Sequence, residues 1–366
     1  MELAKADQQK LLQQLRQMNE AIEQLLLTGM TTASEATSRI LGVTFQEASR
    51  LRLLRLSGTL RAANSEVTRF LHDEPDFSAK RLAFFLNRAW MLGQGLIHGL
   101  EQENRELLDR LLWTPVTDAA ASLQVVTIGV VKKIAKGSFC SFEFRLRGVE
   151  DGKLYIWSTV FPMKKGVEIP AEGYLHLPQK QKFTGHQLLE QNVIQFNNLR
   201  LIQDSALRQR IQLTDESTVE PGAKFSDWQR FANWNPATSL QHLNDHETGP
   251  FDLEVELQED IFLDQWKIGA AIETESTEQE VFPIEHRSTA MQLIISRSIE
   301  GDATRKQIQQ QLKKKVPQSL FGLMHYERCQ LVVQPLSILN NGELDYVTIS
   351  KESVDQKALL QAIKFT

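Results

Sequence analysis

His242 and His246 stand four residues apart, with Asp245 beside the second. On a helix that spacing turns two imidazoles the same way, and they could share a metal ion. The run from Asn244 to Gly249 reads as a loop, so solvated loop histidines are the plainer expectation. Cys140 has no histidine paired with it in sequence. Beside Phe139 and Phe142 it reads as a core or half-buried thiol rather than a nucleophile. No G-x-x-x-x-G-K-[ST], H-E-x-x-H or G-x-S-x-G occurs, so the phosphate-cradling loop, the zinc-protease helix and the nucleophile elbow are all missing. Gly93, Gly95 and Gly99 have the wrong spacing for a dinucleotide fingerprint and no strand before them, which leaves helix packing as their use. A non-enzymatic protein with no cofactor and no metal is expected.

Charge carries the stronger signal. Between Gln124 and Gln212 there are thirteen Lys and Arg against seven Asp and Glu. The whole chain nets −5, so the remainder nets −11. Phe139, Phe142, Phe144, Tyr155 and Trp157 are interleaved with these cations. Cations that track phosphates beside rings that accept bases are how OB-type barrels hold single strands. Lys132, Lys133, Lys136, Arg145, Arg147 and Trp157 are the candidate nucleic-acid contacts. The competing reading is that alternating aromatics face a core, since a half-buried strand has one inward side. At least half of these rings must then be structural, and the lysines at 132–136 would be a solvated turn.

The composition of the 366-residue chain is otherwise ordinary. Hydrophobic residues make up 42% and charged residues 24%, enough for two or three domains with a sizeable core. Two cysteines, Cys140 and Cys329, supply neither a disulfide framework nor a zinc ribbon. No run of about 18 uncharged apolar residues occurs, and the opening MELAKADQQK lacks the apolar core of a signal peptide. A cytoplasmic protein without membrane contact is expected.

The elements that must position these residues fall into three parts. Residues 1–113 read as helix. Leu11, Leu15, Met18, Ile22 and Leu25 form a two-heptad seam that needs a partner surface, either the next helices of the chain or another protein. Gly29 ends that helix. Thr32 with Glu35, and Thr44 with Glu47, have capping-box spacing. A long helix then carries Leu51, Leu54, Ala62 and Phe70 on one side and Arg50, Arg52, Arg55 and Arg61 on the other. Pro75 breaks it and Ser78 caps a helix holding Leu82, Phe85, Leu86 and Trp90. Residues 118–213 change to period two, with strands over Gln124–Val131, Cys140–Leu146, Leu154–Phe161, a short one at Tyr174–Leu177, and Val193–Leu201. Residues 214–249 read as a linker and helical insert, the linker being 214–224. Trp228, Phe231 and Trp234 in the insert seal a domain junction or anchor a partner, the junction being the preferred reading. Residues 250–366 hold strands at Asp252–Leu257, Trp266–Glu273, Ala290–Ser296, Leu331–Leu339 and Leu344–Ile349, a polar helix over Ala303–Lys315, and a short helix over Ser353–Ile363. Phe183-Thr-Gly185 and Phe321-Gly322 each precede a strand by about ten residues, compatible with one β architecture used twice.

The block Glu47-Ala-Ser-Arg-Leu-Arg-Leu-Leu-Arg-Leu56, with Phe77-Ser-Ala-Lys-Arg-Leu-Ala-Phe-Phe-Leu-Asn-Arg-Ala-Trp90 and Tyr155-Ile-Trp-Ser-Thr-Val-Phe-Pro162, resembles uncharacterised bacterial proteins. These are encoded near SWIM zinc-finger proteins, MoxR-type AAA+ ATPases and von Willebrand A-domain proteins. The paired cysteines and Cys-x-x-His of the finger are absent here. The resemblance implies a non-catalytic component of a chaperone-like or defence-related assembly, with other protein subunits and an AAA+ ATPase system as partners. The expected fold class is α+β: an N-terminal all-α domain followed by two antiparallel β-rich domains, the middle one basic and OB-like. The expected function is an adaptor or scaffold, whose contacts are Leu11, Leu15, Met18, Ile22, Leu25, Trp228, Phe231 and Trp234. The alternative is a single-stranded nucleic-acid-binding protein using the middle domain.

Overall fold

The computed structural model describes residues 5–350 apart from 76, 113–116, 136–138, 164–168, 206–207, 233, 247–257, 273–278, 288, 299–300, 312, 314–317 and 328–329. The strand expected at Asp252–Leu257, the helix expected at Ser353–Ile363, and Cys329 therefore lie outside the described residues. The helices form one compact unit, and the strands that follow form a second.

In the helical unit, α1 (Lys5–Thr28), α2 (Glu35–Arg50), α3 (Leu54–Leu71) and α4 (Ala79–Glu101) pack in a ring, and α5 (Arg105–Leu112) lies on α4. The seam Leu11, Leu15, Met18, Ile22 and Leu25 is buried within this bundle. It is the internal core stripe of α1, not an outward partner surface. Gly29 ends α1 at φ +73°, as expected. The caps differ from the sequence reading. Ser34, not Thr32, accepts from the Thr37 N–H at the start of α2. Thr44 lies within α2 and donates back to the Ile40 carbonyl, because a hydroxyl inside a helix can satisfy itself on the preceding turn. The single long helix is in fact two, broken where Arg52 takes φ +58°. Ser78 caps α4 as expected. Gly93 lets α4 approach α1, since a Cβ there would lie 2.3 Å from Asn19 Oδ1, and Gly99 does the same for Leu108 of α5.

The second unit begins with a closed barrel. Its strands are β1 (Thr117–Ala135), β2 (Phe139–Gly148), β3 (Leu154–Pro162), β4 (Asn192–Ser205) and β5 (Arg208–Lys224), ordered β1-β2-β3-β5-β4 and closing back on β1. All pairs are antiparallel except β3 with β5. A five-stranded barrel in this order is the OB architecture. Two expectations are corrected. Residues 214–224 are the second half of β5, paired with β4 again from Thr218 after an irregularity at 214–217; most of its residues are solvated, so its sequence is polar, and Pro221 sits opposite Ile194 beside a register shift, where a strand tolerates proline. Tyr174–Leu177 is not a strand: Ala171–His176 is a 3-10 turn between β3 and β4.

A second barrel follows, from β6 (Glu259–Ile268), β7 (Gln279–His286), β8 (Thr289–Ser296), β9 (Gln318–Glu327) and β10 (Gln330–Asn340), with β11 (Glu343–Tyr346) added beside β10. Its order, β6-β7-β8-β10-β9, closes through β9–β6 and β10–β9 pairing, again with one parallel pair, β8 with β10. The architecture is thus used twice. The Phe-Gly marks do not correspond, because Phe321-Gly322 lies inside β9 whereas Gly185 opens a 3-10 turn before β4. Two short helices flank this barrel, α6 (Pro236–Asn244) and α7 (Asp302–Gln311).

The two barrels share one apolar core, in which Phe262, Phe321, Leu336 and Tyr346 of the second join the residues of the first. Trp228 and Phe231 belong to that core, and the Trp228 indole donates to the Gly342 carbonyl at 3.2 Å. They seal the junction, as preferred from the sequence. Trp234 instead packs at the second barrel's own core, donating to Ser239 Oγ at 2.7 Å. The docking centres on an irregularity of β1 between Thr127 and Gly129. Tyr346 and Thr348 donate their hydroxyls to the carbonyls of Thr127 and Val130, at 2.9 and 2.7 Å, and Ser337 donates to that of Ile128. A Cβ on Gly129 would lie 2.7 Å from Phe321 and 2.8 Å from Leu336. Gly129→Ala is therefore expected to destabilise this unit by about 1–3 kcal/mol through overpacking, read as a lowered urea midpoint, whereas Gly152→Ala, in an open turn, tests backbone strain alone.

Candidate nucleic-acid interface

The first barrel sorts its residues by parity. On β2, Cys140, Phe142, Phe144 and Leu146 point inward and are fully buried, and on β3 so do Tyr155, Trp157 and Phe161. Trp157 lies 5.3 Å from the rings of both Phe144 and Phe183. Its indole is core, closed to a base. Burial also pushes the Cys140 thiol up to about 11, so it is no thiolate at neutral pH.

The outward residues form cross-strand rows. Nearest the β1–β2 connection, Ala135, Phe139 and Pro162 are aligned; next come Lys133, Ser141 and Val160; then Val131, Glu143 and Ser158; then Gly129, Arg145 and Ile156, with Arg210 of β5 beyond. The first two rows are open. Phe139 is 38% and Val160 62% exposed, and they are diagonal neighbours on one face. Lys133 is exposed beside them.

The inner rows are consumed by the second barrel. Arg145, 5% exposed at its side chain, donates to Glu143 at 2.6 Å and to Asp260 of β6 at 3.4 Å. Arg208 reaches the same Asp260 at 3.9 Å, and Arg210 lies 3.5 Å from Glu143. Arg147 donates to the Gly152 carbonyl and lies over the Phe231 ring. Burial raises Asp260 above the usual carboxylate range, against the pull of these arginines.

Of the described residues picked from sequence as nucleic-acid contacts, then, only Lys133 stands on an open face. Lys132 is a buried ion pair with Glu172 at 2.7 Å, Arg145 and Arg147 are held at the barrel junction, Trp157 is internal, and Lys136 lies outside the described residues. The reason is common to all of them: in a barrel docked on one side, charge composition does not reveal which outward positions remain solvated. Val160, Ser141 and Pro162 were missed. The available signal was phase, since Phe139 is odd-numbered where the inward Phe142 and Phe144 are even. Of the histidine pair, His242 lies on α6 and bonds Glu259 at 2.7 Å, and His246 follows the helix end. Among the described residues no cluster of three or more metal-ligating side chains forms.

No family model matches the chain, and no curated protein does. Solved structures similar to it include the Ifi202 HINa domain in complex with a 20bp dsDNA (7% identity, TM-score 0.28, covering 63% of this chain and 97% of that one). A murine DNA-binding protein bound with ds DNA matches at 10% identity and TM-score 0.28, over 64% of this chain and 100% of that one. A Replication Protein A heterotrimer bound to ssDNA matches at 11% identity and TM-score 0.24, over 61% and 49%. At these scores the barrel assignment stands on strand order and pairing alone.

Glu172 yields a pH prediction. Burial works to raise its carboxyl, but Lys132 and the Ser350 N–H outweigh it and hold the group below its ordinary range. A depressed carboxylate contributes stability above the unfolded value, about 4.3, and loses it as pH falls through the folded one. Glu172→Gln is expected to cost stability at pH 7, about 3–5 kcal/mol for breaking a buried pair, and to flatten the loss below pH 4, measured by urea unfolding across pH.

Proposed function

We propose that the first barrel binds single-stranded nucleic acid on the open rows of its β2–β3 face. The observation that carries this is Phe139, an exposed ring on the strand 2–3 surface through which OB barrels take oligonucleotides. Val160 and Pro162 extend the apolar platform, Lys133 supplies a cation, and Ser141 and Ser158 supply hydroxyls. A stacked base needs an unpaired π-face, which a duplex interior does not offer, so the platform favours single strands. The basic composition of the domain supports the reading less than it first does, because most of its arginines are spent within the junction.

Fluorescence anisotropy with labelled oligothymidylate tests it. Phe139→Ala is expected to weaken binding by about 1–3 kcal/mol, the worth of one stacked base. Lys133→Glu is expected to reduce the log–log salt slope by about 0.7, one phosphate contact on a single strand. Equal binding by wild type and Phe139→Ala removes the proposal.

The adaptor reading retains an observation of its own. Leu26 and Leu27 stand exposed in succession near the end of α1, Leu27 at 86%, with Phe84 exposed on α4. Isolated apolar exposure is common, but these are candidates for a protein contact. The AAA+ ATPase implied by the resemblance is the partner to try first, and Leu27→Asp should then weaken that association and leave oligonucleotide binding unchanged.

A further inference from the structure

Glu143 occupies the row where the open half of the β2–β3 face meets the half covered by the second barrel. Its side chain is 27% exposed and lies between two cations, Arg145 at 2.6 Å and Arg210 at 3.5 Å. Arg210 is also tied to the strand surface, donating to Ser158 Oγ at 3.0 Å. Beyond this row the face closes: Arg145 is buried on Asp260, and Ile156 is 1% exposed. We infer that Glu143 ends the ligand face, so that the barrel takes only a short stretch of single strand and turns phosphate away from the arginine half. This inference rests on the proposed nucleic-acid reading of the same face.

The physical argument is one of charge and length. Successive outward rows on a strand are two residues, about 7 Å, apart. The two open rows therefore lie about 7 Å apart along the strands, so the face falls at or below the low end of OB site sizes, about four nucleotides. A phosphate advancing past Val160 would meet the Glu143 carboxylate before any arginine. That carboxylate also engages Arg210, the one guanidinium of the cluster with substantial solvent exposure among those described, at 30%. The sequence places the anion where it limits the ligand rather than where it aids binding.

The test is a length series of oligothymidylate, four, eight and twelve nucleotides, on the full chain and on Glu143→Gln. In wild type, affinity should level off at about four nucleotides apart from a statistical gain of a few-fold. In Glu143→Gln, which removes the charge and keeps the shape, the eight-nucleotide affinity should rise several-fold over the four-nucleotide one, with about 0.7 added to its log–log salt slope. Affinity that climbs steadily to twelve nucleotides in wild type overturns the inference without help from the variant. The same length dependence in both proteins also overturns it, while Phe139-dependent binding would leave the wider reading standing. Absence of any wild-type binding removes both.

Discussion

A carboxylate placed where water cannot reach it sets the relation between the two barrels. Asp260 is 1% exposed at its side chain and lies 3.4 Å from Arg145 and 3.9 Å from Arg208. At an effective dielectric of about 20, a unit pair at that separation attracts by on the order of 5 kcal/mol, while taking such an ion out of water costs several. The two terms are of similar size, as is usual for a buried pair. The cluster therefore contributes little net stability. Its effect is orientational: a rotation of one barrel on the other would draw Arg145 and Arg208 away from the buried Asp260 carboxylate, which is costly to leave unpaired. Apolar burial around Phe262, Phe321 and Tyr346 supplies the adhesion, and the hydroxyl-to-carbonyl bonds on β1 set the register.

That division of labour extends to the edges of the junction. The Gln191 side-chain amide donates to the Leu344 carbonyl at 3.1 Å and accepts from the Leu344 N–H at 2.9 Å. It therefore bonds β11 as a neighbouring strand would, so the short edge strand is satisfied by a side chain. Lys132, on the other flank of β1, is held by Glu172, whose second role is to receive the Ser350 N–H. Each of these groups reads in sequence as an ordinary solvated side chain. In the fold each satisfies a partner at a contact between elements far apart in the chain.

This explains which parts were legible. Period-two runs such as Cys140–Leu146 and Leu154–Phe161 announced strands because an inward face repeats every second residue, and the change at about residue 117 marked the move from helix to barrel. Ser78 and Gly29 were legible because caps act over three or four residues. The division of one long helix at Arg52, the continuation of β5 through Glu220-Pro221-Gly222, and the capture of Arg145 by Asp260 were not. The last two depend on partners more than ten residues distant, for which composition holds no code, whereas the break at Arg52 is a local turn closed by the Arg52 N–H on the Ser49 carbonyl and the Leu53 N–H on that of Ala48. Phe139 sits between these cases: its phase was readable, its solvation was not.

The two barrels share an architecture but not a surface, and the difference argues for a division of roles. In the first, the connection between strands one and two is short and contains Lys136; in the second it contains Glu273, Glu275 and Glu278. The second barrel also extends this hairpin past β6, with Gly269 donating to the Pro283 carbonyl and Ile272 to that of Val281, at 2.8 Å each. Val281 of this hairpin is 6% exposed. Ile272 of this hairpin is 44% exposed but aliphatic, so it offers no ring on which a base could stack. Repetition of the fold therefore does not imply repetition of a site. The second barrel's contribution is to hold the inner arginines of the first, and by covering that half it defines the extent of the face that stays open.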